Sequence, residues 1–239
     1  AGVFTILKVI VYTFSIETLA YGGSGSWLVY AAGFTIIAAS LVALRKDNLK
    51  ARLAYSTVSQ LSYVILAAAI LAPISAVGAA MHIAAHAVSK ITLFFAAGSI
   101  YTAAHKTEIS ELAGIGRRMP WTMGAFTIGA ISMIGLPPTA GFLGKWFMLS
   151  GAMQTGQWLP IAIIVASTLL NAAYFLPIVY TAFFEREPAA HAVGADAAHD
   201  HGEAPLPIVI ALTFTAAATV GLFLFPEVPL ALAKLMAGV

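Results

Sequence analysis

Long apolar runs, each closed by a short polar stretch, repeat along nearly the whole chain. A run of roughly 20 residues is needed to cross ~30 Å of hydrocarbon as a helix. By that measure the pattern predicts about seven spans, at about 1–20, 26–44, 51–72, 75–104, 119–150, 157–184 and 206–225. The runs are far too long and too uniformly apolar for barrel strands, and in lipid every backbone polar group must be satisfied internally. The expected fold class is an all-α polytopic membrane protein. The fifth span is interrupted in its middle by "IGLPPTAG", where Gly135, Pro137 and Pro138 break the helical pattern and Gly141 follows. Two adjacent prolines remove two helix donors, so this span is read as one discontinuous helix, with a simple proline kink as the plainer alternative.

Composition strengthens the membrane reading, with 60% hydrophobic and 9% charged residues and a mean hydropathy of +0.91. The net charge of +2 and the lack of a long basic tract give no reason to expect nucleic acid as a partner. The chain has no Cys, which excludes disulfides, thiolate catalysis and Cys-ligated metals. Basic residues alternate from loop to loop. Arg45, Lys46, Lys50 and Arg52 fall in loop 45–52, Lys106, Arg117 and Arg118 in loop 105–118, and Arg186 in loop 185–205, whereas the intervening turns carry none. The positive-inside rule places the three basic loops in the cytoplasm, and the bacterial inner (plasma) membrane is the expected location. The first residue is Ala and the N-terminal run lacks the features of a signal peptide, so the chain is expected to start within a longer protein.

Against this apolar background the polar residues within spans stand out: Lys8, His82, His86, Lys90, Lys145 and Asn171. Charge at bilayer depth is unfavourable by a few kcal/mol, so such residues usually face a bundle interior and mark an ion path. At 100° per residue, positions 82, 86 and 90 lie within about 80° of one another on one helix face, and Lys90 sits roughly 20 Å from either helix end. Histidine and a buried lysine can both exchange protons near neutral pH, so the stripe reads as a proton wire, with interhelical packing as the bland alternative. Lys145 follows the break by seven residues and on position alone is equally an interfacial anchor. Ser56, Ser59, Gln60 and Tyr63 could line a hydrated interior or simply join packed helices.

Three segments, "RLAYSTVSQLSY", "MHIAAHAVSKITLFFAAGSIY" and "GLPPTAGFLGKWFML", resemble in order and spacing the proton-conducting antiporter-like subunits shared by respiratory complex I and the multisubunit sodium/proton antiporters. The resemblance covers residues 1–184, and the His-x-x-x-His-x-x-x-Lys spacing is most similar to the D-type antiporter subunit. It implies an inverted-repeat fold of which this chain holds the second repeat. In that frame residues 1–20 are the end of a preceding helix and 26–184 the five-helix repeat; 185–205 is a cytoplasmic linker and 206–239 a last span and tail. It implies that His82, His86 and Lys90 form a buried polar axis, that Lys145 is the lysine of the discontinuous helix near the external exit, and that Lys8 is a second basic position on the preceding helix. The implied function is that of a non-enzymatic, cofactor-free subunit moving protons in exchange for Na+ or K+, assembled with other membrane subunits in lipid. The alternative is a proton-pumping subunit of a complex I type NADH:quinone oxidoreductase.

A reading of another class comes from "HAVGADAAHDHGEAP" in the sixth loop, where His191, His199 and His201, with Asp196, Asp200 and Glu203, have donor chemistry for a divalent metal. Their spacing matches no closed ligand pattern, and a solvated linker is the plainer reading. A purely structural subunit predicts an apolar interior, against the His and Lys stripe. A glycine-rich phosphate loop is absent, which argues against ATP-driven pumping.

Overall fold

A computed structural model describes residues 2–22, 25–186 and 202–239. The long helices follow the apolar runs: α3 (Ser26–Arg45), α4 (Leu49–Ala69), α5 (Pro73–Ala104), α9 (Trp158–Phe184) and α10 (Leu206–Leu224). α3, α5, α9 and α10 are each long and apolar enough to cross a membrane. α4 has the length, and its polar side chains lower its hydropathy. Their outer faces carry exposed Trp27, Phe34, Leu169 and Phe214, while the largest fully buried side chains are Tyr63, Tyr174, Phe126 and Phe175. This is the inside-out distribution of a polytopic helical membrane fold.

The break in the fifth span forms where the prolines stand. α7 (Pro120–Ile134) ends at Gly135, whose φ of 90° belongs to the left-handed region, and α8 (Ala140–Gln154) starts after Thr139. The short α6 (Ile115–Arg118) precedes α7. α8 lies against α5 along a seam of small residues. A Cβ on Gly144 would sit 2.9 Å from the His82 Cβ and 3.0 Å from its Cα, and one on Gly78 would sit 2.7 Å from the Met148 backbone nitrogen. Close backbone approach through glycine is a common way for helices to associate in lipid.

At the basic-loop end the turns are tied together. Asn48 caps α4 through Ala51 N (3.0 Å) and donates to Glu108 Oε1 (2.9 Å), while Asp47 accepts from Ser110 Oγ (2.6 Å). Arg52 is buried and donates to the carbonyls of Lys46 (2.7 Å) and Tyr174 (3.1 Å), joining the end of α3 to α9.

Two expectations need correction. The predicted first span is not one helix: α1 (Gly2–Lys8) widens into a π-helical turn at Val9–Phe14 and stops at Ser15, whose φ is 62°. The Ser15 hydroxyl accepts from Thr18 N (3.2 Å) and starts α2 (Ile16–Tyr21) anew. The segment after the last span is not a plain tail. It folds as α11 (Glu227–Ala237), seating Ala233 and Ala237 against Ala76, Val77 and Met81 of α5.

Candidate functional site

The site grows from two stripes on antiparallel neighbours. On α4, Arg52, Ser56, Gln60 and Tyr63 follow the i, i+4, i+8, i+11 spacing of one helix face; on α5 the corresponding face carries His82, His86 and Lys90. All are buried. Because the helices run in opposite directions, Lys90 meets Ser56, to which its ammonium donates a hydrogen bond, and His82 meets Tyr63, ring centroids 5.6 Å apart. The His82 and His86 rings stand 6.3 Å apart and nearly parallel. Tyr63 then leads on to Lys145, whose Nζ lies 5.0 Å from the phenol ring. The order along the column is Lys90, His86, His82, Tyr63, Lys145.

Lys145 is 4% exposed, so it is no interfacial anchor. Its seat is made by the broken helix. Pro137 and Pro138 have no N–H to return to the carbonyls four residues earlier, those of Met133 and Ile134. The Lys145 Nζ donates to those same two carbonyls, at 3.2 and 2.7 Å, and to Thr168 Oγ1 of α9 at 3.2 Å. Three donors of an ammonium thus meet three acceptors. Gly135 leaves the room for it: a Cβ there would stand 2.7 Å from the Lys145 Cδ. Beneath the break Ser132 accepts from Ser89 Oγ (2.7 Å) of α5 and from Gly141 N (3.2 Å) at the start of α8.

The structure adds Ser167 and Tyr174, which the sequence reading did not single out, beside Asn171, which it did. On α9, Ser167, Asn171 and Tyr174 follow the i, i+4, i+7 pattern and are fully buried. Tyr174 donates through its hydroxyl to Asn171 Oδ1, and Asn171 Nδ2 points to Met133 O at 3.5 Å. The Tyr63 hydroxyl faces Ser167, Thr168 and Asn171 without a linear hydrogen bond to any of them. The signal that could have found them is the polar face of α9, visible as Ser167, Asn171 and Tyr174 at helical spacing within an otherwise apolar run.

Not every sequence candidate joins the column. Ser59 is buried but turned to α3, paired with Ser40 at 2.9 Å. Lys8 is exposed, its ammonium 5.9 Å above the Phe4 ring. His191, His199 and His201, with Asp196 and Asp200, lie outside the described residues. Glu203 is described, and its carboxylate is occupied as a cap on α7, accepting from Trp121 N (2.7 Å) and Thr122 Oγ1 (2.6 Å). Among the described residues no group of three His, Cys, Asp or Glu is placed to hold a metal ion.

The family described as "NADH:quinone oxidoreductase/Mrp antiporter, TM" matches residues 1–185. Subunit N of the NADH-quinone oxidoreductase of Desulforudis audaxviator is 40% identical over 162 residues, which cover 68% of this chain and 32% of the relative. Among solved structures, a chain of the membrane-bound sulfane sulfur reductase, an archaeal respiratory membrane complex, superposes with a TM-score of 0.80 at 24% identity, covering 99% of this chain and 46% of that one. A chain of the Mrp complex from Dietzia sp. DQ12-45-1b superposes with a TM-score of 0.77 at 22% identity, covering 93% of this chain and 49% of that one. The chain therefore spans at most about half the length of these proteins. A family match over residues 1–185, with the broken helix and buried lysines in place, means that this chain belongs to the NADH:quinone oxidoreductase/Mrp antiporter transmembrane family.

Proposed function

We propose that this chain is a proton-translocating module of a multisubunit membrane complex, and that protons move along Lys90, His86, His82, Tyr63 and Lys145. The observation that carries the reading is the continuity of that column through the bundle interior, from the Lys90–Ser56 contact to the Lys145 seat on the broken helix. Both His82 ring nitrogens, His86 Nε2, Tyr63 OH and Gln60 Oε1 are buried without a protein hydrogen-bond partner. Buried polar atoms are normally satisfied, and a row of them turned into one column is suited to water and to passing protons. Each transfer changes a buried charge and so the proton affinity of its neighbour, which couples the titration of the column from end to end. The chain does no bond chemistry of its own in this reading; it conducts.

The driving machine is a finer question. The 40% identity to a subunit of NADH-quinone oxidoreductase favours assembly with other membrane subunits in a redox-driven complex. The sodium/proton antiporter reading rests on the His and Lys spacing that resembles the D-type subunit. In both, the basic loops 45–52, 105–118 and 185–205 face the cytoplasm of a bacterial inner membrane, and residues 26–184 act as one repeat. The test is proton flux by the complete complex in liposomes, with and without Na+, and with electron donor and quinone. Lys90→Ala and His86→Ala should each abolish flux with assembly intact. Normal flux in either variant overturns the column.

A further inference from the structure

The Met133 carbonyl, deprived of its helical donor by Pro137, is approached by three others. Lys145 Nζ lies at 3.2 Å, Gln60 Nε2 of α4 at 3.2 Å and Asn171 Nδ2 of α9 at 3.5 Å. A carbonyl oxygen has two lone pairs, so three donors cannot all be well served. Two of the three are neutral amides, and the third is a titratable ammonium. The direction of the Asn171 amide is fixed, because its Oδ1 accepts the Tyr174 hydroxyl and its Nδ2 is thereby turned to the carbonyl.

We propose that Gln60 and Asn171 are positioning residues that compete with Lys145 for Met133 O and so set how readily Lys145 releases its proton. The inference rests on the conduction reading above and concerns the same site. An ammonium has three hydrogens, matched to Met133 O, Ile134 O and Thr168 Oγ1. When one proton leaves, the neutral amine keeps two, enough for Ile134 O and Thr168 Oγ1. Met133 O stays satisfied because the two amides already hold it, so release leaves no orphaned buried carbonyl. The titratable side chains facing Lys145 are Tyr63 from α4 and His82 from α5, and both ring nitrogens of His82 are buried without a protein hydrogen-bond partner. From α9 the facing group is the Thr168 hydroxyl, and α7 contributes carbonyls. The described Asp and Glu residues all stand in loops or at helix ends, away from this seat.

The experiment is the pH profile of proton flux by the complete complex carrying Asn171→Leu, Tyr174→Phe or Asn171→Gln. Removing the Asn171 amide leaves Met133 O to Gln60 and the ammonium, and with one competitor fewer the ammonium is held more tightly and gives up its proton only at higher pH. Asn171→Leu should move the midpoint of the profile upward by about half to one pH unit, the scale of one strengthened hydrogen bond. Tyr174→Phe keeps the ring in its packed place and frees only the amide, so it should move the midpoint the same way by less. It also carries the test if Asn171→Leu fails to assemble. Asn171→Gln retains a donor and should stay near the wild type. A role in packing alone would lower the amplitude and leave the midpoint fixed, and that result in Asn171→Leu and Tyr174→Phe overturns the inference. A wild-type complex without flux defeats the conduction reading and this inference together; flux with unmoved midpoints defeats this inference alone.

Discussion

Replacing Gly135 with Ala perturbs the Lys145 seat without replacing a titratable group. The added Cβ would lie 2.7 Å from Lys145 Cδ, 3.3 Å from Cε and 3.4 Å from Nζ. Carbon atoms rest at about 3.5–4.0 Å, so the lysine stem must retreat by close to 1 Å. The bond to Ile134 O, 2.7 Å long, then stretches to the limit of a useful hydrogen bond. A hydrogen bond to a charged group contributes about 1.5–3 kcal/mol, and the left-handed backbone at φ 90° adds about 1–2 kcal/mol for any residue with a Cβ. Each 1.4 kcal/mol is about tenfold in population, so the seated lysine becomes at least about tenfold rarer. The assay is proton flux of the complete complex in liposomes beside its melting temperature in detergent. Flux should fall about tenfold or more with a modest loss of thermal stability. Gly124→Ala, in α7, meets nothing within 4 Å and serves as the neutral control. Flux within about twofold of the wild type for Gly135→Ala would show that the seat is not needed.

Two more outcomes follow from the packing. Gly144→Ala drives a Cβ to within 3.1 Å of the His82 backbone nitrogen, and overpacking of this kind costs about 1–3 kcal/mol, so α8 should separate from α5 and the complex should melt earlier. An unchanged melting temperature would mean that the seam yields freely. Glu203→Ala removes the carboxylate that caps α7, part-exposed and so worth about 1 kcal/mol, and should lower thermal stability slightly while flux persists. Loss of flux in that variant, with the complex still assembled, would assign the loop a direct role.

Much of the fold was legible because lipid imposes one rule, an apolar run of fixed length, and α3, α5, α9 and α10 obey it. The break at Gly135–Pro138 was legible for the same reason that it forms: proline has no N–H, and glycine tolerates the left-handed turn. Periodicity also gave the shared face of His82, His86 and Lys90. What periodicity lacks is the identity of the facing helix. Ser59 reads like Ser56 in the sequence, yet it turns to Ser40 of α3 while Ser56 meets Lys90. The depth of Lys145 depended on carbonyls of another helix, and the Asn171–Tyr174 pair gained meaning only when α9 was laid against the break. The end of α1 at Ser15 and the folding of α11 were missed because apolar character marks burial and does not mark where a short helix stops.

The most direct test of conduction through Lys145 is proton flux by the complete complex carrying Lys145→Arg. A guanidinium keeps the positive charge and can still donate to Met133 O and Ile134 O, the carbonyls that seat the lysine. It is effectively never deprotonated, so it can hold the place and cannot pass the proton on. With assembly verified by co-purification and an unchanged melting temperature, flux should fall to the level of protein-free liposomes. Flux near that of the wild type would contradict proton transfer through Lys145.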